Sequence, residues 1–241
     1  MKRLFAAMTA ALLLASLASS AVFAKSTTDL IGGQWRVFNA MPATSSFWDI
    51  NKAVAGTDPA SQSFPVEEFL STTTGSFAVY LENNYNASLT ESQTLTVTAS
   101  WTPGVYDTRS VTGSDGATAH IWFQDVASGS YTPNDLWWYS GESYNLLDST
   151  QSGTTLTAAL GDTAHWSNVC GQSANDTTVY TGVDCVGGTY SAVSPADGFI
   201  NAMANVKQLG LSFGSTSRWV DGIALDGETG TFTMTSFTVT P

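Results

Sequence analysis

Three residues of one short segment, His120, Trp122 and Gln124, are the best candidates for ligand contact. They alternate with Ile121 and Phe123, so a β-strand would direct the apolar pair to a core and the other three to the opposite face. The C–H surface of a sugar ring packs on a flat aromatic ring, and polar neighbours fix its orientation. We therefore predict a glycan-binding face here. The alternative is that Trp122 packs beneath a loop.

A second aromatic group, Trp137 and Trp138, lies in a turn-rich segment that runs from Tyr131 to Tyr139. Adjacent aromatic side chains cannot all point into one core, so we expect at least one of them near the surface. Both tryptophans therefore join the candidate ligand-binding residues. The alternative is that the pair closes one end of a packed core.

No residue is identified as catalytic. A glycoside hydrolase needs two carboxyl groups about 5 to 10 Å apart, and the glutamates show no Glu-x-Asp-x-x-Glu pattern. Carboxyl groups from distant segments could still converge, so a glycoside hydrolase or polysaccharide lyase stays an alternative. The segment Gly171–Asn175 begins like a nucleophile elbow but lacks its final glycine. His120 and His165, which could act as a base or a metal ligand, lie on separate segments.

Acidic residues in turn-like stretches leave a structural calcium ion open, and no other cofactor is expected. Extracellular β-sandwich proteins often connect loops through oxygen ligands to calcium. None of these residues has the spacing of a ligand loop, and an Asp-Gly pair is itself a hairpin signal. The candidates are Asp135, Asp148, Asp176, Asp184, Asp226 and Glu228.

The first 24 residues have the pattern of a bacterial secretory signal peptide. Lys2 and Arg3 precede an apolar run, and Val22-Phe23-Ala24 supplies small residues for cleavage after Ala24. The protein is therefore predicted to be secreted or held at the cell surface, with residues 25–241 as one domain. In an oxidising compartment, Cys170 and Cys185 are expected to form a disulfide.

The charge balance limits the classes of partner. Twenty acidic residues against eight Lys and Arg give a formal net charge of −12, which repels nucleic acid and anionic lipid. No apolar run near the end of the chain approaches the roughly 20 residues that span a bilayer. We expect no nucleic-acid partner and no membrane span.

Alternation with period two predicts antiparallel strands through most of the chain. Leu95, Val97, Ala99 and Trp101 alternate with hydroxyl residues, which indicates a half-buried strand. Similar strands are predicted around residues 77–81, 119–126, 154–160, 206–213, 218–225 and 231–239. Residues 41–63 show no clear period and are predicted to form a long loop.

The fold predicted from these strands is an all-β antiparallel sandwich with one short helix near residues 195–206. Ser194 can cap that helix, and Pro195 suits its first turn. In the last strand, apolar residues change from even to odd positions, so a β-bulge is predicted near Thr235-Ser236.

The segment Val206–Gly214, with Gly222, Gly230–Phe232 and Ser236-Phe237, resembles the end of the jelly-roll domain in exported bacterial proteins of the PEP-CTERM type. The likeness extends upstream through Trp137-Trp138, Trp166–Val169 and Phe199–Asn205, about half of the expected mature chain. It implies a jelly-roll sandwich similar in architecture to carbohydrate-binding modules. The Pro-Glu-Pro sorting tail of that family is absent here, so membrane sorting by that route is not expected.

These observations favour a secreted, non-catalytic sandwich that binds an extracellular polysaccharide or cell-surface glycan, or acts at the cell surface or matrix. A second hypothesis is an envelope or fibre-forming structural protein. In that case the final strand, residues 231–240, would be an edge strand available for self-assembly.

Overall fold

The computed structural model describes residues 28–30, 35–40, 45–49, 62–67, 77–102, 106–107, 118–126, 132–185, 188–214, 223–225 and 229–241. Within these ranges the chain folds mainly as antiparallel strands with one α-helix, which confirms the predicted all-β sandwich. The predicted signal peptide, residues 1–24, lies outside the described residues, as do Asp226 and Glu228. No helix of the described part is long and apolar enough to cross a bilayer.

The described residues contain fifteen strands, which form two large sheets and one small pair. In chain order they are β1 (Thr28–Asp29), β2 (Trp35–Ala40), β3 (Ser45–Asp49), β4 (Gln62–Glu67), β5 (Phe77–Ala87), β6 (Thr94–Trp101), β7 (Tyr106–Asp107), β8 (Thr118–Gln124), β9 (Leu136–Tyr139), β10 (Tyr144–Asn145), β11 (Thr155–Ala159), β12 (Trp166–Asn168), β13 (Val206–Gly214), β14 (Ala224–Leu225) and β15 (Thr229–Thr240).

The two large sheets differ in size. The larger has eight strands in the order β12-β9-β8-β13-β5-β2-β3, with β10 also paired to β8. The smaller has five, in the order β1-β15-β6-β11, with β4 also paired to β15. Strands β7 and β14 form a separate pair. Neighbouring strands come from distant parts of the sequence, so each sheet face combines residues that are far apart in the chain.

The core lies between the two large sheets and follows the predicted alternation. On β6, Leu95, Val97, Ala99 and Trp101 are buried while the residues between them are half-buried. Burying this apolar surface contributes about 25 cal/mol per Å² removed from water. The predicted inward set of β6 is therefore confirmed.

One α-helix, α1 (Pro195–Ala204), packs its apolar side into the core. The Ser194 hydroxyl accepts a hydrogen bond from the backbone N–H of Asp197 at 3.2 Å, which confirms Ser194 as the N-cap. Phe199 is fully buried, with its ring centroid 5.0 Å from that of Trp137 and 5.6 Å from that of Phe123. The helix is thereby fixed to the larger sheet through an aromatic cluster.

The predicted β-bulge and disulfide are both present. The register between β15 and β6 shifts between Met234 and Ser236, so Thr235 is the extra residue. This shift keeps Met234 and Phe237 buried although they differ in phase. Cys170 and Cys185 form a disulfide across a sequence separation of 15.

Two predictions about strands were wrong. Residues 41–63 are not a continuous loop, because β3 and the start of β4 fall within them. Strand β15 is not an edge strand, since β6 pairs along one side of it and β1 and β4 along the other. Hydrogen bonding from distant strands overrode local sequence signals in both cases.

Phe199→Ala is expected to lower the free energy of unfolding by about 3 to 5 kcal/mol, because it leaves a cavity in the aromatic cluster. The matched control is Ile200→Ala on the same helix, where the parent side chain is 52% exposed and a change of about 0.5 kcal/mol or less is expected. Urea unfolding of both variants measures the difference. Equal losses would contradict the described packing of α1.

Replacing both Cys170 and Cys185 by Ser is expected to lower the free energy of unfolding by about 3 kcal/mol, the cost of releasing a loop of this length. Urea unfolding with and without dithiothreitol measures the effect. The reductant should bring the parent to the value of the double variant and leave that variant unchanged. A parent that is insensitive to full reduction would rule out this contribution.

Candidate functional site

The outer face of the larger sheet, which points away from the smaller sheet, carries polar and aromatic side chains. On β8, Ile121 and Phe123 belong to the core, which places His120, Trp122 and Gln124 on the opposite face, as the alternation predicts. These three side chains are nevertheless buried, and Trp122 is only 1% exposed. The expectation of a solvent-exposed Trp122 is therefore wrong.

Cross-strand pairing extends this face in a row across the sheet. Trp122 pairs with Trp138 on β9 on one side and with Gly210 on β13 on the other. Gly210 pairs with Glu82 on β5, and Glu82 pairs with Arg36 on β2. Directly paired residues share a face, so these side chains point the same way. At the centre of the row, Gly210 contributes no side chain between Glu82 and Trp122.

The tryptophan pair divides between the two faces of the sheet. Trp137 is fully buried in the core, where its indole N–H donates to the backbone oxygen of Asn134 at 2.7 Å. Trp138 lies on the outer face beside Trp122 and is 5% exposed. Neither ring is open to solvent, so the expectation that one of them lies near the surface is wrong. Trp137 contributes to packing, as the alternative interpretation held.

A second row of the outer face forms a connected hydrogen-bond network with the first. Gln208 on β13 pairs with Asn84 on β5 and with Gln124 on β8. The Gln208 amide donates to Glu82 Oε1 at 3.0 Å and to Asn84 Oδ1 at 3.4 Å. Gln124 in turn donates to Gln208 Oε1. Three strands thus share one chain of polar contacts.

Arg36 connects this network to the surface. Its guanidinium donates to Glu82 Oε1 as an ion pair and to Asn84 Oδ1 at 3.2 Å. The Arg36 side chain is 34% exposed and that of Glu82 is 3% exposed, whereas Asn84 is exposed and Gln208 is buried. We call Arg36, Glu82, Asn84, Gln124 and Gln208 the polar network. It runs from an accessible end to a buried end.

Burial sets the protonation properties of Glu82. Desolvation raises the pKa of its carboxyl group above 4.5, and the charge and hydrogen bond of Arg36 act in the opposite direction. The residual upward shift means that the pairing does not fully offset the cost of burying the carboxylate. Glu82 is therefore the strongest acid-base candidate of the outer face.

His120 lies at the same face in a neutral environment. Its Nδ1 is 3.0 Å from the backbone oxygen of Tyr139, and its buried Nε2 makes no hydrogen bond of good geometry with the described residues. Burial lowers the pKa of the imidazole, opposed by the backbones of Tyr139 and Glu142. The ring is held as neutral imidazole at physiological pH.

Asp125 follows the last residue of β8, and its carboxyl group has a raised pKa of about 6. Burial is the largest cause, the negative charge of Asp135 adds to it, and the positive charge of Lys207 opposes it. Asp125 Oδ1 is buried and makes no hydrogen bond with the described residues. A carboxyl group in this state takes up a proton in mildly acidic solution.

The other histidine belongs to a turn outside this face. His165 Nδ1 is 2.9 Å from the carboxylate of Asp162, which also accepts a hydrogen bond from the Tyr139 hydroxyl at 2.7 Å. These hydrogen bonds, that of Tyr139 first, lower the pKa of Asp162. The arrangement fixes the turn between β11 and β12.

The calcium candidates in the described part act as acceptors within turns. Asp148 accepts from Thr150 N–H at 2.9 Å, and Asp176 from Thr178 N–H at 2.8 Å. Asp184 accepts from Gly188 N–H at 2.8 Å, and Asp135 accepts from Thr132 N–H. Throughout the described ranges, no group of three or more His, Cys, Asp or Glu residues could hold a metal ion.

Four members of the polar network, Arg36, Glu82, Asn84 and Gln208, were not predicted from the sequence. Gln208 had a usable signal, because Leu209 and Leu211 alternate with it and with Ser212 in the pattern that identified His120 and Gln124. Arg36, Glu82 and Asn84 had none, since their position depends on the pairing of β2, β5 and β13.

Glu82→Gln, which retains the acceptor, is expected to make the free energy of unfolding less dependent on pH. A carboxyl group whose folded pKa is raised contributes stability below its unfolded pKa, near 4.5, and this contribution is lost as pH rises through the folded pKa. As pH rises from about 4.5 through the folded pKa of Glu82, the free energy of unfolding of the parent should therefore fall relative to that of the variant. Urea unfolding across this range measures the difference.

Arg36→Met supplies the opposite control. It removes the positive charge that lowers the Glu82 pKa, so that pKa should rise further. The decrease in the free energy of unfolding with rising pH should therefore be larger than in the parent and extend to higher pH. A Glu82→Gln variant whose pH profile runs parallel to that of the parent would contradict the assignment of a raised pKa.

Comparison with known proteins does not assign the chain to a family. No family model matches the sequence, and no curated protein matches it. The resemblance to the jelly-roll domain of PEP-CTERM-type proteins therefore stays a prediction.

Proposed function

We propose that this protein is an exported, non-catalytic β-sandwich protein that binds an extracellular glycan through the polar network. The observation that carries the proposal is the hydrogen-bonded chain from Arg36 through Glu82 and Gln208 to Gln124, on a sheet face that does not contribute to the core. A buried chain of this kind is costly to desolvate, so a sheet needs a reason to retain it. Ligand recognition supplies that reason.

The chemistry of the network suits sugar hydroxyl groups. Each hydroxyl both donates and accepts a hydrogen bond, and the network offers amide donors and acceptors, one carboxylate and one guanidinium. Asn84, exposed, and Arg36, part-exposed, give the ligand access at the end nearest the surface. The specificity of such a site comes from a few well-placed polar groups.

Trp122 and Trp138 take a different role from the one first predicted for them. Their rings are buried, so we assign them to the rigid wall beside the polar network. A fixed aromatic wall limits the rearrangement of the network on binding and so reduces the entropy cost of association. Export is supported by the signal-peptide pattern of the first 24 residues.

A glycoside hydrolase or polysaccharide lyase is the second candidate, and the raised pKa of Glu82 favours it. A general acid must hold its proton near neutral pH, and burial moves Glu82 in that direction. A hydrolase also requires a second carboxyl group about 5 to 10 Å away. Among the described residues, Glu82 is the one acidic member of the polar network, which favours binding over hydrolysis.

Asn84→Ala is expected to weaken glycan binding by up to about tenfold, the loss of one or two hydrogen bonds. The melting temperature should fall only slightly, because the Asn84 side chain is exposed and Gln208 keeps its hydrogen bond to Glu82. A glycan array with residues 25–241 identifies the ligand, and titration calorimetry then measures the affinity of each variant. Asn201→Ala, an equivalent change on an exposed face of α1, should bind like the parent.

The same array decides between the candidates. The proposed site would be ruled out if no glycan on the array retained the parent. It would also be ruled out if the Asn84→Ala variant bound the glycan as tightly as the parent. Release of reducing ends or unsaturated sugars by the parent, abolished in Glu82→Gln, would instead establish the enzymatic alternative. Turnover that Glu82→Gln leaves unchanged would place catalysis elsewhere.

A further inference from the structure

The outer face of the smaller sheet is covered by hydroxyl side chains. On β6, β11 and β15, the residues that point away from the core are almost all threonine or serine. We call this surface the threonine face. Its members are Thr94, Thr96, Thr98, Ser100, Thr155, Thr157, Thr233, Ser236, Thr238 and Thr240.

The hydroxyl residues are aligned in rows across three strands. Thr96 pairs directly with Thr157 on β11 and with Thr238 on β15. Thr98 pairs with Thr155 and Ser236 in the next row, and the hydroxyl oxygens of Thr98 and Thr155 are 2.8 Å apart. Strands lie about 4.8 Å apart, and alternate residues of one strand are about 6.8 Å apart. The face therefore presents a two-dimensional repeat of hydroxyl groups.

The threonine face is open, and Asp29 of β1 borders it where it pairs with Thr238. Thr155 and Thr157 are exposed, and the threonines of the central strand β6 are half-buried only as expected between two neighbouring strands. None of the three strands contains a charged residue. The outer face of the larger sheet differs in each respect, since its side chains are largely buried and include an ion pair.

These properties argue against another protein or a polysaccharide as the occupant. The net charge of −12 makes copies of the protein repel one another. The carboxylate of Glu142 accepts the N–H of Thr157 at 2.8 Å on the edge strand β11, which blocks pairing with a further strand there. A polysaccharide site needs a few convergent polar groups of different kinds to fix the sugar, whereas the outward positions of these strands carry almost only hydroxyl groups.

We propose that the threonine face binds ice. Its repeat is close to the spacing of oxygen atoms on the prism faces of hexagonal ice, and neutral hydroxyls can occupy positions of that lattice. The γ-methyl group of each threonine excludes disordered water between them. Because threonine is β-branched and stiff about χ1, holding this array costs little side-chain entropy. The inference is independent of the glycan proposal, which concerns the other sheet.

Thr96 lies at the centre of the face, so Thr96→Lys should abolish ice binding by placing a hydrated, flexible charge in the lattice. The purified chain 25–241, fluorescently labelled, is expected to be taken up into a growing ice hemisphere and to inhibit ice recrystallisation. Thr96→Lys should lose most of both effects. Thr177→Lys, the same change at an exposed threonine of the disulfide loop, should keep them.

Thr157→Val provides a second variant that preserves shape and β propensity, with a melting temperature close to that of the parent. This variant should lose part of the uptake into ice and part of the inhibition of recrystallisation, because one hydroxyl group is removed from the array. Exclusion of the parent from ice, or full activity in folded Thr96→Lys, would overturn the proposal. Self-association of the parent, seen as a molecular mass that rises with concentration and stays monomeric in Thr96→Lys, would also overturn it. Retention of the parent on insoluble polysaccharide that Thr96→Lys abolishes would do the same.

Discussion

The burial of aromatic and aliphatic side chains between two antiparallel sheets is the constraint on which the rest of this structure depends. Trp35, Phe123, Trp166, Phe199 and Phe237 fill the space between the sheets. Because side chains alternate between the two faces of a strand, the residues between these positions must face outward. Both candidate surfaces are therefore consequences of one packing requirement.

The two outer faces satisfy this constraint with different chemistry. On the smaller sheet, hydroxyl residues are exposed or half-buried, so water and neighbouring hydroxyls can satisfy their hydrogen bonds. On the larger sheet, Glu82 and Gln208 are withdrawn from water, so each must be compensated by specific hydrogen bonds. The first arrangement suits an extended regular surface, and the second suits a ligand that presents a few defined polar groups.

Local sequence pattern predicted what depends on one strand or one turn. The inward residues of β6, the Ser194 cap, the bulge at Thr235 and the disulfide each follow from residues close together in the chain or from one cysteine pair. These features need no knowledge of which strands are neighbours. Periodicity and capping chemistry were therefore sufficient for the fold class.

The polar network could not be predicted in the same way, because its members meet only through pairing of β2, β5 and β13. Arg36 and Glu82 are 46 residues apart, and Glu82 and Gln208 are 126 apart. Alternation also identified the face of Trp122 correctly but not its burial, which depends on what lies above the sheet. Period two fixes the direction of a side chain, whereas exposure is a property of the whole fold.

The position of the Arg36–Glu82 ion pair supports the proposal that the network binds a ligand. Replacing a buried ion pair by apolar residues of similar size is often neutral or stabilising, so burial alone gives no advantage to charge. Here the pair lies at the boundary between the buried and accessible ends of the network. An incoming hydroxyl group could exchange hydrogen bonds with Arg36 and Asn84 without breaking the buried contacts of Gln208. In the proposed site, this geometry would allow the sheet to bind a polar ligand while the buried hydrogen bonds stay in place.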